Sequence, residues 1–148
     1  MRKRTITQAY FYDVAPGTVF RALTEAGQLR RWFPDSAKIN PVEGGSYTFT
    51  WKGYPSQKGE VKKVVANRLL ALSWPNRVNG KVLLTEARFT LRKKGGGTLL
   101  TVRHTGFQEG DDWVWLYGAV QSGWAYFLTN LKSVLSQGLD LRSEYDRP

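Results

Sequence analysis

Residues 111–139, DDWVWLYGAVQSGWAYFLTNLKSVLSQGL, decide the fold. In this stretch Trp113, Leu116, Tyr117, Val120, Trp124, Phe127, Leu128, Leu131, Val134 and Leu135 recur at steps of three and four, the mark of a helix with one buried stripe. Asp111 suits the N-cap, Asp112 places negative charge where the helix dipole favours it, and Gly138 suits the stop. At roughly 1.5 Å per residue such a helix runs about 40 Å, the length of a small domain. No short partner covers a stripe of that length. A broad curved surface does, and the strand-like runs upstream are the candidate.

Working back from the helix, residues 98–106 and 82–93 read as a hairpin about Lys94-Gly95-Gly96-Gly97. Residues 69–74 and 59–66 form a further pair split by Asn67-Arg68, with Pro75 and Asn79-Gly80 read as a turn. Residues 46–52 alternate with Tyr47, Phe49 and Trp51 on one face, and Gly44-Gly45 separates them from a strand over 37–42. Residues 5–14 are rich in β-formers and read as the first strand. Between that strand and the next, Pro16 suits the first turn of a helix over 16–25 that ends at Gly27, and residues 28–33 read as a second short helix ended by Pro34. Neighbours joined by such short turns pair antiparallel. The expected plan is α+β: a curved antiparallel sheet of about six to seven strands around a long C-terminal helix, with two short helices after strand 1.

Composition bounds the function. A chain of 148 residues with 41% hydrophobic and 14% aromatic content is expected to form one domain over 1–148 with a real core. The absence of cysteine removes disulfides, thiolate nucleophiles and cysteine zinc sites, and the single histidine, His104, leaves no imidazole cluster for a metal. No cofactor is expected. No apolar run approaches a membrane span, and Met1-Arg2-Lys3-Arg4 leads into an alternating pattern, so a cytoplasmic location is expected. The formal charge of +10 admits nucleic acid or an acidic protein as partner. Yet Arg30-Arg31, Lys62-Lys63 and Arg92-Lys93-Lys94 are scattered without interleaved stacking rings, which disfavours nucleic acid.

Several phrases, taken in order, carry a family resemblance: APGTVFRALT (15–24), LRRWF (29–33), GGSY (44–47), GEV (59–61), LSW (72–74), GTLLTVRHTGF (97–107) and Gly123-Trp124. Together they resemble the SRPBCC, or START-like, superfamily with its helix-grip (Bet v 1-like) fold, and within it the activator of Hsp90 ATPase homologue-like (AHSA1-like) group. The resemblance implies a pocket between sheet and long helix that takes an apolar small molecule in many relatives. It implies no reaction, because the group shares no catalytic motif.

The expected ligand-binding set is Trp32, Tyr47, Phe49, Trp51, Trp74, Phe89, Val102, His104, Trp113, Tyr117, Val120 and Trp124, which alternation and helical spacing aim at the space between sheet and helix. The competing reading is that these rings fill the core. Gly123, costly inside a helix, indicates either close approach to the sheet, the reading favoured slightly, or room kept for a ligand. His104 reads as a hydrogen-bonded core histidine, a group that orients a ligand, or an acid–base residue. Glu86 and Arg88 lie out of phase with Phe89 and read as a solvent-side pair. Three functions follow. The first is a binding module for a hydrophobic small molecule. The second is a protein-interaction domain of the chaperone-activator kind that the resemblance implies; whatever the function, the chain is expected as a monomer or homodimer. The third is a cyclase- or hydratase-type enzyme using His104, which needs a second titratable group in reach of the ring.

Overall fold

The computed structural model describes residues 4–142; Met1, Arg2 and Lys3, read above for the absence of a leader, lie outside them. β1 (Arg4–Tyr12) is followed by helices α1 (Pro16–Thr24) and α2 (Ala26–Leu29). Six strands come next: β2 (Ser36–Ile39), β3 (Ser46–Thr50), β4 (Gln57–Val65), β5 (Leu69–Val78), β6 (Lys81–Lys94) and β7 (Gly97–Phe107). Helix α3 (Asp111–Gln137) completes the order. The strands form one antiparallel sheet in the order β1-β7-β6-β5-β4-β3-β2. β1 and β2, consecutive in sequence, therefore stand at opposite edges, and α1 and α2 carry the chain between them.

Several boundaries differ from the sequence reading: the second short helix is Ala26–Leu29 and not 28–33, the strand after it is Ser36–Ile39 and not 37–42, and β4 begins at Gln57 and not at Gly59. Glu25 is extended, with φ −102° and ψ 127°, so it divides the two short helices, and Gly27 lies inside α2 instead of ending α1. Pro75 does not end β5, which runs on to Val78 opposite Lys81. The carbonyl of Pro75 accepts Gln57 Nε2 at 2.9 Å on the β4 side, and β4 pairs with β5 only between Leu69 and Leu72. The proline nitrogen thus faces a side with no ladder bond to lose. At α3 the N-cap is Gly110, not Asp111, so Asp111 and Asp112 both sit in the first turn. Gly138 ends the helix as expected, left-handed at φ 68° with its amide on the Val134 carbonyl at 2.9 Å.

β1 is tied to α3 where Tyr12 donates to the Leu128 carbonyl at 2.7 Å and Gln8 Nε2 to that of Gln121 at 3.0 Å. Asn130, buried within the apolar stripe, is satisfied there: it donates to the Trp32 carbonyl and accepts the Leu141 amide. The main core joins the sheet, α1, α2 and the second half of α3. A smaller cluster of Ile6, Val78, Leu83, Phe107 and Leu116 lies under the first half of α3.

Candidate functional site

The space expected between sheet and helix is filled. A void of about 10 Å³ remains there, lined by Leu23, Leu29, Trp32, Phe33, Phe49, Leu70, Leu72, Trp74, Phe89 and Trp124. Ligand sites for small molecules run to roughly 300–1,000 Å³, so the difference is more than tenfold. Phe33 is the plug. Its chain position follows from α2: the amides of Trp32 and Phe33 still bond to the Leu29 carbonyl, which turns both rings inward. The Phe33 ring lies 5.0 Å from Trp32, 5.6 Å from Phe49, 4.9 Å from Trp51, 5.3 Å from Trp124 and 4.9 Å from Phe127, centre to centre. These separations fall in the range of direct ring packing.

His104 sits behind that cluster with no exposure. Trp124 Nε1 donates to its Nδ1 at 3.0 Å, so the ring proton is on Nε2, which donates to Thr85 Oγ1 at 2.7 Å. The Thr85 hydroxyl in turn donates to the Trp74 carbonyl at 2.7 Å, and Asn76 Nδ2 donates to Thr85 Oγ1 at 3.1 Å. Burial pushes the His104 pKa down to about 3, so the imidazole is neutral at ordinary pH. Neither partner at its nitrogens is a group that titrates near neutrality. This is the arrangement of a satisfied core histidine, and it offers no paired acid or base.

Of the twelve expected site residues, Trp32, Phe49, Trp74, Phe89 and Trp124 line the residual void. Tyr47 and Val102 are buried in the surrounding core, and Trp51 and Val120 pack against it. Trp113 and Tyr117 belong instead to the smaller cluster, edge-on to Phe107. The residues missed are Leu23, Leu29, Phe33, Leu70 and Leu72; the last two were legible from the alternation that picked out Trp74. Close approach does not explain Gly123: a Cβ there meets nothing within 4 Å, and the same holds for Gly118. By contrast, a Cβ on Gly59 would lie 2.6 Å from the Ser73 carbonyl, over which Tyr47 lies to donate its proton at 2.6 Å.

The outer face of α3 is unusual for so basic a chain. Asp111, Trp115, Gly118, Ser122, Ala125, Thr129 and Lys132 follow steps of three and four and are all exposed, Trp115 at 64%. Between Asp112 and Lys132 the helix carries no charge. Among the described residues no helix is long and apolar enough to cross a membrane, and no group of three acidic or histidine side chains could hold a metal. A surface recess of about 570 Å³ beside Pro16, Arg68 and Lys93 is open to solvent and receives none of the twelve residues.

Comparison with known proteins matches residues 13–136 to the family described as Activator of Hsp90 ATPase homolog 1-like protein. Among solved structures, protein MLL2253 of Mesorhizobium loti superposes with a TM-score of 0.82 at 24% identity, covering 90% of this chain and 98% of that one. The Aha1 dimer of Colwellia psychrerythraea gives 0.79 at 22% identity, covering 91% and 98%. CalU16 of Micromonospora echinospora gives 0.74 at 26% identity, covering 97% and 83%. A comparison with curated proteins gives no match. The first two likenesses establish the helix-grip fold and nothing finer.

Proposed function

The chain belongs to the family of Activator of Hsp90 ATPase homolog 1-like proteins, and on that premise we propose that it is a protein-interaction domain whose first partner is a second copy of itself, paired along α3. The observation that carries this reading is the exposed stripe from Asp111 to Lys132. It has an acid at one end, a base at the other and small or apolar residues between, so two copies laid antiparallel complement each other. Asp111 of one copy then meets Lys132 of the partner, and Trp115 covers the turn of small residues around Ala125 and Thr129. Gly118 and Gly123 each cost roughly 1 kcal/mol of helix stability relative to alanine. Packing inside the chain requires neither, and Gly118, which lies on the exposed stripe, leaves room for a second helix to come close. Two bodies of charge +10 approach with least repulsion on an uncharged face. The dimeric state of the Colwellia protein supports a homodimer here.

Sedimentation equilibrium of the intact chain and of Trp115→Asp tests the proposal. The account expects a dimer for the first and a monomer of unchanged circular dichroism for the second. A monomeric parent at every micromolar concentration tried would overturn it.

A second reading, uptake of a hydrophobic small molecule, has in its favour the wholly apolar lining of the small void. It requires Phe33 or Trp124 to swing away from the other rings. Native mass spectrometry of protein from its own source distinguishes the two: a retained small molecule supports uptake, and a bare chain supports the filled core.

A further inference from the structure

The convex face of the sheet carries a row that its own fold does not explain. The register sets Thr7, Arg103, Arg88, Ala71 and Lys63 abreast on β1, β7, β6, β5 and β4. Arg103 and Arg88 are directly opposite one another, both exposed, as is Lys63. Like charges directly opposite in a sheet are destabilising. Ala71, paired with Arg88 on one side and Lys63 on the other, is 1% exposed. Glu86, two residues along β6, shares the face, but among the described residues no ion pair joins it to either arginine or to Lys63. The sheet therefore holds three cations in a line with no internal counter-charge in contact.

From this row we infer a docking surface for an acidic α-helix of a partner protein, laid across the strands. Adjacent strands lie about 4.8 Å apart, close to the roughly 5–6 Å between helix side chains three or four residues apart. Carboxylates at that helical spacing meet Arg103 and Arg88 together, and each guanidinium fork can take one carboxylate through two hydrogen bonds. Lys63 extends the line two strands further. A nucleic acid fits less well, because the rows on either side present Ala9, Thr101, Thr90 and Leu69, or Thr105, Glu86 and Ser73, with no ring for a base to stack on. The surface is separate from the α3 stripe and does not rest on self-association.

The probe is a fluorescent, helix-forming alanine peptide with glutamate at every third or fourth position, followed by anisotropy at low and raised salt. Binding that weakens steeply with salt is expected. Arg88→Ser with Arg103→Ser should weaken it at least about tenfold without lowering the melting temperature. Lys38→Ser with Lys52→Ser, which removes the same charge near the β2 edge, should leave affinity close to the parent's. The same titration on Trp115→Asp separates this surface from α3 pairing and should be unchanged. Equal loss in the two double variants would reduce the effect to net charge and overturn the inference. Tighter binding of a single-stranded oligonucleotide of equal charge, or of phosphatidylserine vesicles, would overturn it too.

Discussion

The indole N–H of Trp124 donates to Nδ1 of His104 at 3.0 Å, joining the long helix to β7 through a buried neutral ring. That bond fixes the tautomer: the imidazole proton resides on Nε2, toward Thr85. Nitrogen NMR of the single histidine should show a protonated Nε2 and a bare Nδ1, with no titration between about pH 5 and 8. A ring that titrates in that window would contradict the buried network.

The same histidine sets a pH dependence of stability. Its folded pKa is about 3, and the unfolded value is about 6.5. Above 6.5 neither state binds the proton, so this contribution is fully present. As pH falls from 6.5 toward 3 the unfolded chain takes up a proton that the folded chain refuses, and stability declines by about 1.4 kcal/mol per pH unit. Across the window the loss is on the order of 4–5 kcal/mol. Urea unfolding at pH 7, 6, 5 and 4 reads this slope directly. A flat profile between 6 and 4 would count against it.

Removing the indole donor leaves the acceptor behind. Trp124→Phe keeps a ring in the core but strands Nδ1 without a partner, and an orphaned buried acceptor costs about 1–3 kcal/mol beyond lost packing. The imidazole of the variant should regain a higher pKa as its surroundings loosen. Chemical denaturation measures the first effect and proton NMR the second.

Phe33 holds the interior shut. Phe33→Ala should cost about 3–5 kcal/mol and open an apolar cavity among Trp32, Phe49, Trp74 and Trp124. Such cavities stay dry and accept benzene-sized solutes. Benzene should therefore raise the melting temperature of the variant and leave that of the parent unchanged. A parent stabilised to the same degree would restore the small-molecule reading.

The α3 stripe, the seven strands and the alternation of Tyr47, Phe49 and Phe89 were legible in the sequence because period and turn residues are local signals. What the sequence could not supply was distance. It placed aromatic rings around a space but could not say that Phe33, just beyond a short helix, projects into the middle of them. Pro75 misled because a proline argues against a strand unless its nitrogen faces an unpaired side, which depends on where β4 stops. Likewise the Arg88–Arg103 pair depends on the register of β6 with β7, and a turn of consecutive glycines fits more than one register. Trp115 lay off the buried stripe, so periodicity passed over the residue on which the proposed interface turns.

Antiparallel pairing of α3 makes a demand that no other arrangement shares: Asp111 and Lys132 must meet across copies. Sedimentation equilibrium of Asp111→Lys, Lys132→Asp and the doubly exchanged chain is the most direct measurement of it. The account predicts weaker association for each single exchange and recovery in the double. Association that is indifferent to all three, or a double exchange as weak as the singles, would contradict it.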